Sequence, residues 1–168
     1  KPLGVGIFTT AQKQGKLLPE HEHIAPNSMS TLNIIGQDLA NIKGITAMTD
    51  VTGFGLLGHL TEMCEGSNLS AEIDFDKIPT FNEVHQYIVQ DCIPGGTHRN
   101  WDSYGQHVQL KEESNKLILC DPQTSGGLLI AVEDNAIVEV EKLLKANNIE
   151  CTPLGNLIER SDILIKVY

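Results

Sequence analysis

Thr49-Asp50-Val51-Thr52-Gly53-Phe54-Gly55-Leu56-Leu57-Gly58-His59, residues 49–59, changes period in the middle. Upstream, the apolar run 45–48 leads into Asp50, the pattern of a strand whose C-terminal tip carries a carboxylate. Downstream, Leu56, Leu57, Leu60, Met63 and Cys64 fall on one side of a helix over 56–65. Between them Gly53 and Gly55 permit a tight turn and a close approach of the backbone to a ligand. A strand, a glycine turn and a helix N-terminus place unpaired N–H groups beside a carboxylate. That combination suits a phosphate and a hard divalent cation held by Asp50. No Lys follows the glycines, so the segment is not a P-loop. From spacing alone a second reading stays open, in which Asp50 caps the helix and the glycines only turn the chain.

Outward from this segment, helix and strand patterns alternate. The spacing of Met29, Leu32, Ile35, Leu39 and Ile42 after Pro26 predicts a helix over 27–43. Ala71, Ile73 and Phe75 alternate with polar neighbours, which predicts a strand over 70–75. A helix over 80–90 and a Gly- and Asn-containing loop over 94–105 follow. The apolar runs 117–120 and 128–132 predict two interior strands, and 133–145 a helix whose first turn is acidic and whose end carries Lys. Strands over 149–154 and 162–167 close the chain, and 5–9 reads as an opening strand. These patterns predict an α+β fold, an α/β sandwich with a mixed β-sheet and helices packed mainly on one face, in a single domain over 1–168. The opening Lys1-Pro2-Leu3-Gly4 lacks an initiator Met and reads as a cut inside a larger protein.

The composition narrows the function classes. Of 168 residues, 40% are hydrophobic and 20% charged, which is the globular range. A net charge of −10 opposes sequence-independent binding to nucleic acid or an anionic membrane, and no apolar stretch reaches membrane-spanning length. No signal peptide is visible. Cys64, Cys92, Cys120 and Cys151 form no CxxC pair, which points to free thiols in a reducing, cytoplasmic compartment.

Two further segments carry polar chemistry. In residues 121–127 (DPQTSGG), Thr124 and Ser125 offer donors to a pocket, or the segment only connects two strands. In residues 94–101 (PGGTHRNW), Arg99 and His98 beside two glycines suit an anion, or Arg99 is a surface residue and Trp101 an anchor. His21-Glu22-His23 lacks a third metal ligand and reads as an exposed loop, and His59 as structural or hydrogen-bonding. No Ser-His-Asp or Cys-His set assembles from spacing. A lone carboxylate such as Asp50 cannot hold a nucleotide–metal cluster unaided, which points to a partner domain.

Residues 50–59 (DVTGFGLLGH) closely resemble the C-terminal signature of selenophosphate synthetases, and 94–100 (PGGTHRN) and 121–129 (DPQTSGGLL) resemble two further motifs of that family in the same order. The opening KPLG with Thr9-Thr10-Ala11 is similar to the family's entry into this domain. The resemblance spans nearly the whole chain. It implies the C-terminal domain of a two-domain, cytoplasmic enzyme in a superfamily with aminoimidazole ribonucleotide synthetase, a hydrogenase maturation factor and thiamine-monophosphate kinase. The implied reaction turns ATP, selenide and water into selenophosphate, AMP and phosphate, with magnesium and a potassium requirement. The implied partners are the domain's own N-terminal ATP-binding domain and a second protomer, paired into a homodimer through N-terminal domains. By the same resemblance Asp50 is a magnesium ligand, and Gly53, Gly55, Thr124 and Ser125 line the nucleotide cleft. No catalytic residue is expected here, since the family's nucleophile lies in the N-terminal half, so the isolated domain is expected to be inactive. Related ATP-using enzymes of the superfamily, and a non-catalytic paralogue that senses nucleotide or dimerises, share the scaffold.

Overall fold

The computed structural model describes residues 1–151 and 153–168. Strands β1 (Ile45–Asp50) and β4 (Leu128–Val132) form an antiparallel two-stranded ribbon. A second, mixed sheet of four strands has the order β3 (Val108–Leu110), β6 (Ile165–Val167), β2 (Leu69–Ile73), β5 (Gly155–Glu159), with β2 parallel to β6 and antiparallel to β5. The helices are α1 (Val5–Lys13), α2 (Ile24–Ser30), α3 (Ile35–Leu39), α4 (Gly55–Ser67), α5 (Val84–Val89), α6 (Gly95–Tyr104), α7 (Lys116–Leu119) and α8 (Ile137–Ala146). The α+β class read from the sequence is the one observed, with the strands divided between two sheets.

β4 shows why the ribbon sits where it does. Its side chains alternate, and each set meets a different apolar environment. Leu129 packs into the main core with Ile7, Phe8, Leu57, Leu119 and Ile165. Leu128, Ile130 and Val132 turn the other way, onto a smaller core of Leu39, Ile42, Val140 and Leu144 from α3, α8 and their flanks. The short apolar run is therefore buried on both faces, as an interior strand requires.

Several expected elements differ, each for a local reason. Residues 5–9 are the start of α1 rather than a strand. An apolar run this short does not distinguish the two by period, and side chains remote in sequence cap the helix: Gln123 Oε1 accepts from Val5 N–H at 3.3 Å and Asp121 Oδ2 from Gly6 N–H at 3.0 Å. The helix expected over 27–43 breaks into α2 and α3, with Thr31 extended and its hydroxyl donating to Asn27 O. Asn33, in the break, donates instead to Gly126 O. The expected loop over 94–105 is helix α6, opened by extended Pro94, and of the strand expected over 117–120, residues 117–119 lie in α7 and Cys120 follows it. The helix over 80–90 shortens to α5, and the one over 133–145 starts with a 3-10 turn before α8. The strand expected over 149–154 includes residue 152, which lies outside the described residues, and its described residues carry no strand; β5 follows it. β3, three residues long, had no signal of its own.

Asp121 is completely buried, and its Oδ1 finds no partner among the described residues. Burial pushes its carboxyl up to about 7, against the pull of hydrogen bonds from Gln123 and Gly6. The folded carboxyl thus holds its proton more tightly than the unfolded one, so protonation favours the fold. This stabilisation is full below about pH 4 and is lost as the pH rises toward 7. Unfolding free energy should accordingly be lower at pH 8 than at pH 5, by on the order of a few kcal/mol. In Asp121→Asn that part of the slope should vanish; an unchanged urea-unfolding profile across this range would remove the titration from Asp121.

Candidate functional site

The three motif segments meet at one end of the ribbon. The β1–β4 ladder pairs Asp50 with Leu128 and continues through Val51 N–H to Gly127 O at 2.8 Å. Thr52 O then accepts from both Gly55 N–H and Gln123 N–H at 3.0 Å, which binds the glycine turn to the 121–127 loop. Asn100 on α6 completes the junction. Its Nδ2 donates to Gly53 O at 2.8 Å in the glycine turn and to Cys120 O at 3.0 Å, immediately before the 121–127 loop. Tyr104, one turn further along α6, donates its hydroxyl to Phe54 O at 2.6 Å.

Glycines make these approaches possible at two places. Gly55 has φ +69, and a Cβ there would stand 2.8 Å from the carbonyl carbon of Cys120. Gly126 lies so close to Val51 O that any Cβ would collide with it. At both, the missing side chain serves loop-to-loop packing. Gly53 differs: it is exposed, with nothing near its Cβ position, so it is the glycine that leaves room for a ligand.

Asp50 is exposed, and its carboxylate makes no hydrogen bond or ion pair among the described residues. A hard-oxygen donor at the open end of a strand, with no internal partner, suits one coordination position of a cation. It cannot fill a site alone, and among the described residues no group of three or more His, Cys, Asp and Glu could hold a metal ion. Thr124 and Ser125 are exposed in the neighbouring loop, and Lys1 Nζ donates to Ser125 O at 2.6 Å. Arg99 and His98 are exposed on α6, with Arg99 folded back toward Gly95. His59 is 8% exposed, with Nε2 3.1 Å from Thr52 Oγ1 and Nδ1 3.1 Å from Glu62 Oε2.

The thiols offer no nucleophile near the junction. Burial pushes Cys120 and Cys64 up to about 11, so both are protonated at neutral pH. His21 meets the hydroxyl of buried Tyr87 at 2.6 Å, a packing contact away from the junction. Among the described residues no helix is long and apolar enough to cross a membrane.

The sequence reading missed Asn100 as the link between segments and Asp121 and Gln123 as the cap of α1. For Asn100 and Asp121 a signal was present, since each is a polar residue beside an apolar anchor (Trp101, Cys120), but the partners are remote in sequence; Gln123 carried no such signal.

The family model for the C-terminal domain of AIR synthase related proteins matches residues 1–167. The chain belongs to that family. This AIR synthase related domain is 55% identical over 158 residues to a protein named selenide, water dikinase from Colwellia psychrerythraea, covering 94% of the chain and 46% of that protein. It is also 55% identical over 169 residues to one of the same name from Haemophilus influenzae, covering 99% of the chain and 49% of that protein. The domain thus spans about half the length of the curated relatives it matches. Among solved structures it resembles hydrogenase maturation protein HypE in complex with ATP, with a TM-score of 0.65 at 16% identity, over 94% of this chain and 40% of that one. It also resembles thiamine-monophosphate kinase from Stenotrophomonas maltophilia, with a TM-score of 0.60 at 14% identity, over 99% and 47%. At these identities the likeness shows the fold.

Replacing Asn100 by Leu keeps the bulk and leaves two backbone carbonyls without their donor. The expected loss is about 2–3 kcal/mol of unfolding free energy, and Gly55→Ala should lose at least as much through its φ and its contact with Cys120. Urea unfolding measures both; a midpoint unchanged in Asn100→Leu would mean that the three segments hold together without it.

Proposed function

We propose that this domain is the C-terminal half of a selenide, water dikinase, which turns ATP, selenide and water into selenophosphate, AMP and phosphate. The observation that carries the reading is 55% identity, extending over 94% or more of the chain, to proteins of that name. Solved structures such as HypE and tt0281 share the fold at only 13–20% identity, which ranks another acceptor lower, and the retained Asp50 and glycine turn rank a non-catalytic paralogue lower.

In this reading Asp50 supplies one carboxylate to magnesium at the ATP phosphates, and the remaining ligands come from an N-terminal domain. Its exposure and lack of an internal partner support that role. Magnesium bound there would neutralise phosphate charge during transfer. Gly53, Thr124 and Ser125 form the wall on this side, with buried Gly55 setting the turn behind them: Gly53 gives space, and the exposed Thr124 and Ser125 side chains are available to phosphate or bound water. A potassium ion, pairing of protomers through N-terminal domains and a cytoplasmic location belong to the same proposal. With one carboxylate and no activated nucleophile, the isolated domain should make no selenophosphate.

Phosphorus NMR of the full-length protein with ATP, magnesium and selenide tests the reading. Wild type should form selenophosphate and AMP, and Asp50→Asn should slow both by about a hundredfold or more while melting normally. No selenophosphate from wild type would reject the function; a fully active Asp50→Asn would remove Asp50 from the site.

A further inference from the structure

Thr52, two residues after Asp50, heads a hydrogen-bonded chain of three side chains that the proposed function does not use. The β1–β4 ladder runs on through Val51 N–H, so the strand alternation carries to residue 52. Val51 is buried, which puts Asp50 and Thr52 together on the opposite side. Thr52 is half-buried, where water alone would satisfy its hydroxyl. Instead its Oγ1 lies 3.1 Å from Nε2 of nearly buried His59. The other ring nitrogen, Nδ1, lies 3.1 Å from Glu62 Oε2, and the ring of Phe54 stands edge-on to the imidazole at 6.0 Å.

The chemistry of the three groups orders their protons. A Glu62 carboxylate can only accept, so Nδ1 carries the imidazole proton and donates to it. In the neutral ring Nε2 is then an acceptor, and the Thr52 hydroxyl donates to it. The hydroxyl proton is thereby held inward, and the lone pairs of Oγ1 are left toward the side Thr52 shares with Asp50. A hydroxyl with a fixed proton presents one polarity, whereas a freely rotating one presents either. An outward acceptor next to a carboxylate suits a cation and its bound water, and does not suit a phosphate oxygen.

We propose that Thr52 is a further contact residue of the cation–nucleotide site, its hydroxyl set as an outward-facing acceptor by the positioning residue His59 and by Glu62. The inference rests on the proposed role of Asp50 in that site. Thr52 meets the hydrated cation, and His59 acts only through Thr52.

The test uses the full-length protein with manganese in place of magnesium and a non-hydrolysable ATP analogue, with bound manganese read by electron paramagnetic resonance. Thr52→Val, which keeps the shape and removes the hydroxyl, should weaken manganese binding about tenfold while the protein stays folded at the assay temperature. Thr52→Ser should bind as wild type. His59→Leu should reproduce the loss, and His59→Gln, whose amide oxygen can accept from Thr52, should recover part of it. Nitrogen-15 NMR of wild type at pH 8 should show His59 protonated at Nδ1. Normal manganese binding by Thr52→Val, or a His59 ring protonated at Nε2, overturns the relay. Asp50→Asn separates the two ideas: if it loses manganese while Thr52→Val does not, the relay alone fails. If both bind normally, the cation role of Asp50 fails as well.

Discussion

The carbonyl of Thr52 carries the architecture around the site. It accepts from Gly55 in its own turn and from Gln123 in a loop far along the chain, so one oxygen closes the glycine turn and joins it to its neighbour. The other contacts depend on that junction. Gln123, held there by its backbone, sends its side chain down to Val5 and to Asp121, and Asp121 caps Gly6. The first helix is thus seated on the loop that borders the candidate site. Asn100 closes the arrangement from a third direction, and Gly55 and Gly126 keep side chains out of the contacts. Buried polar groups such as these are stable only when each finds its partner, which is why these segments are so constrained in residue type.

That constraint explains which parts of the fold were legible in the sequence. β1, the glycine turn and α4 were readable because their signals are local: an apolar run, two glycines, and apolar residues at helical spacing. β2 and β4 were readable for the same reason. α1 and α6 were not, because their structure is decided by remote partners, and α7 was not, because four residues are too few for the period to tell a helix from a strand. Val5-Gly6-Ile7-Phe8 is helical since Asp121 and Gln123 cap it, and the 95–104 segment is helical since Asn100 and Tyr104 reach from one face to the turn. The long helix expected over 27–43 failed at Asn33, whose amide goes to Gly126 O across the fold.

The site was legible to a different depth. Asp50 and Gly53 stand exposed at the junction where strand and turn patterns placed them, whereas Gly55 lies inside the packing between segments. The three motifs could be listed in order from the sequence, but their convergence could not, since it rests on single hydrogen bonds between residues many positions apart. His59 was read as structural or hydrogen-bonding and does bond through both ring nitrogens, but its partners Thr52 and Glu62, only a few residues away, showed no pattern. Their link depends on a turn that returns the helix to its own start.

The alternation of β4 between two cores bears on how the chain is made. β1 leaves the ribosome well before β4 exists, so for much of synthesis its apolar face has no partner and its edges are open. A pairing between segments so distant closes slowly. It also tolerates no slip, since moving β4 by one residue would send Leu129 to the small core and Leu128 and Ile130 to the large one. The small core of α3, α8 and the ribbon can therefore assemble only after α8 has been translated, later than the junction beside Asp50, whose contacting segments are complete by residue 128.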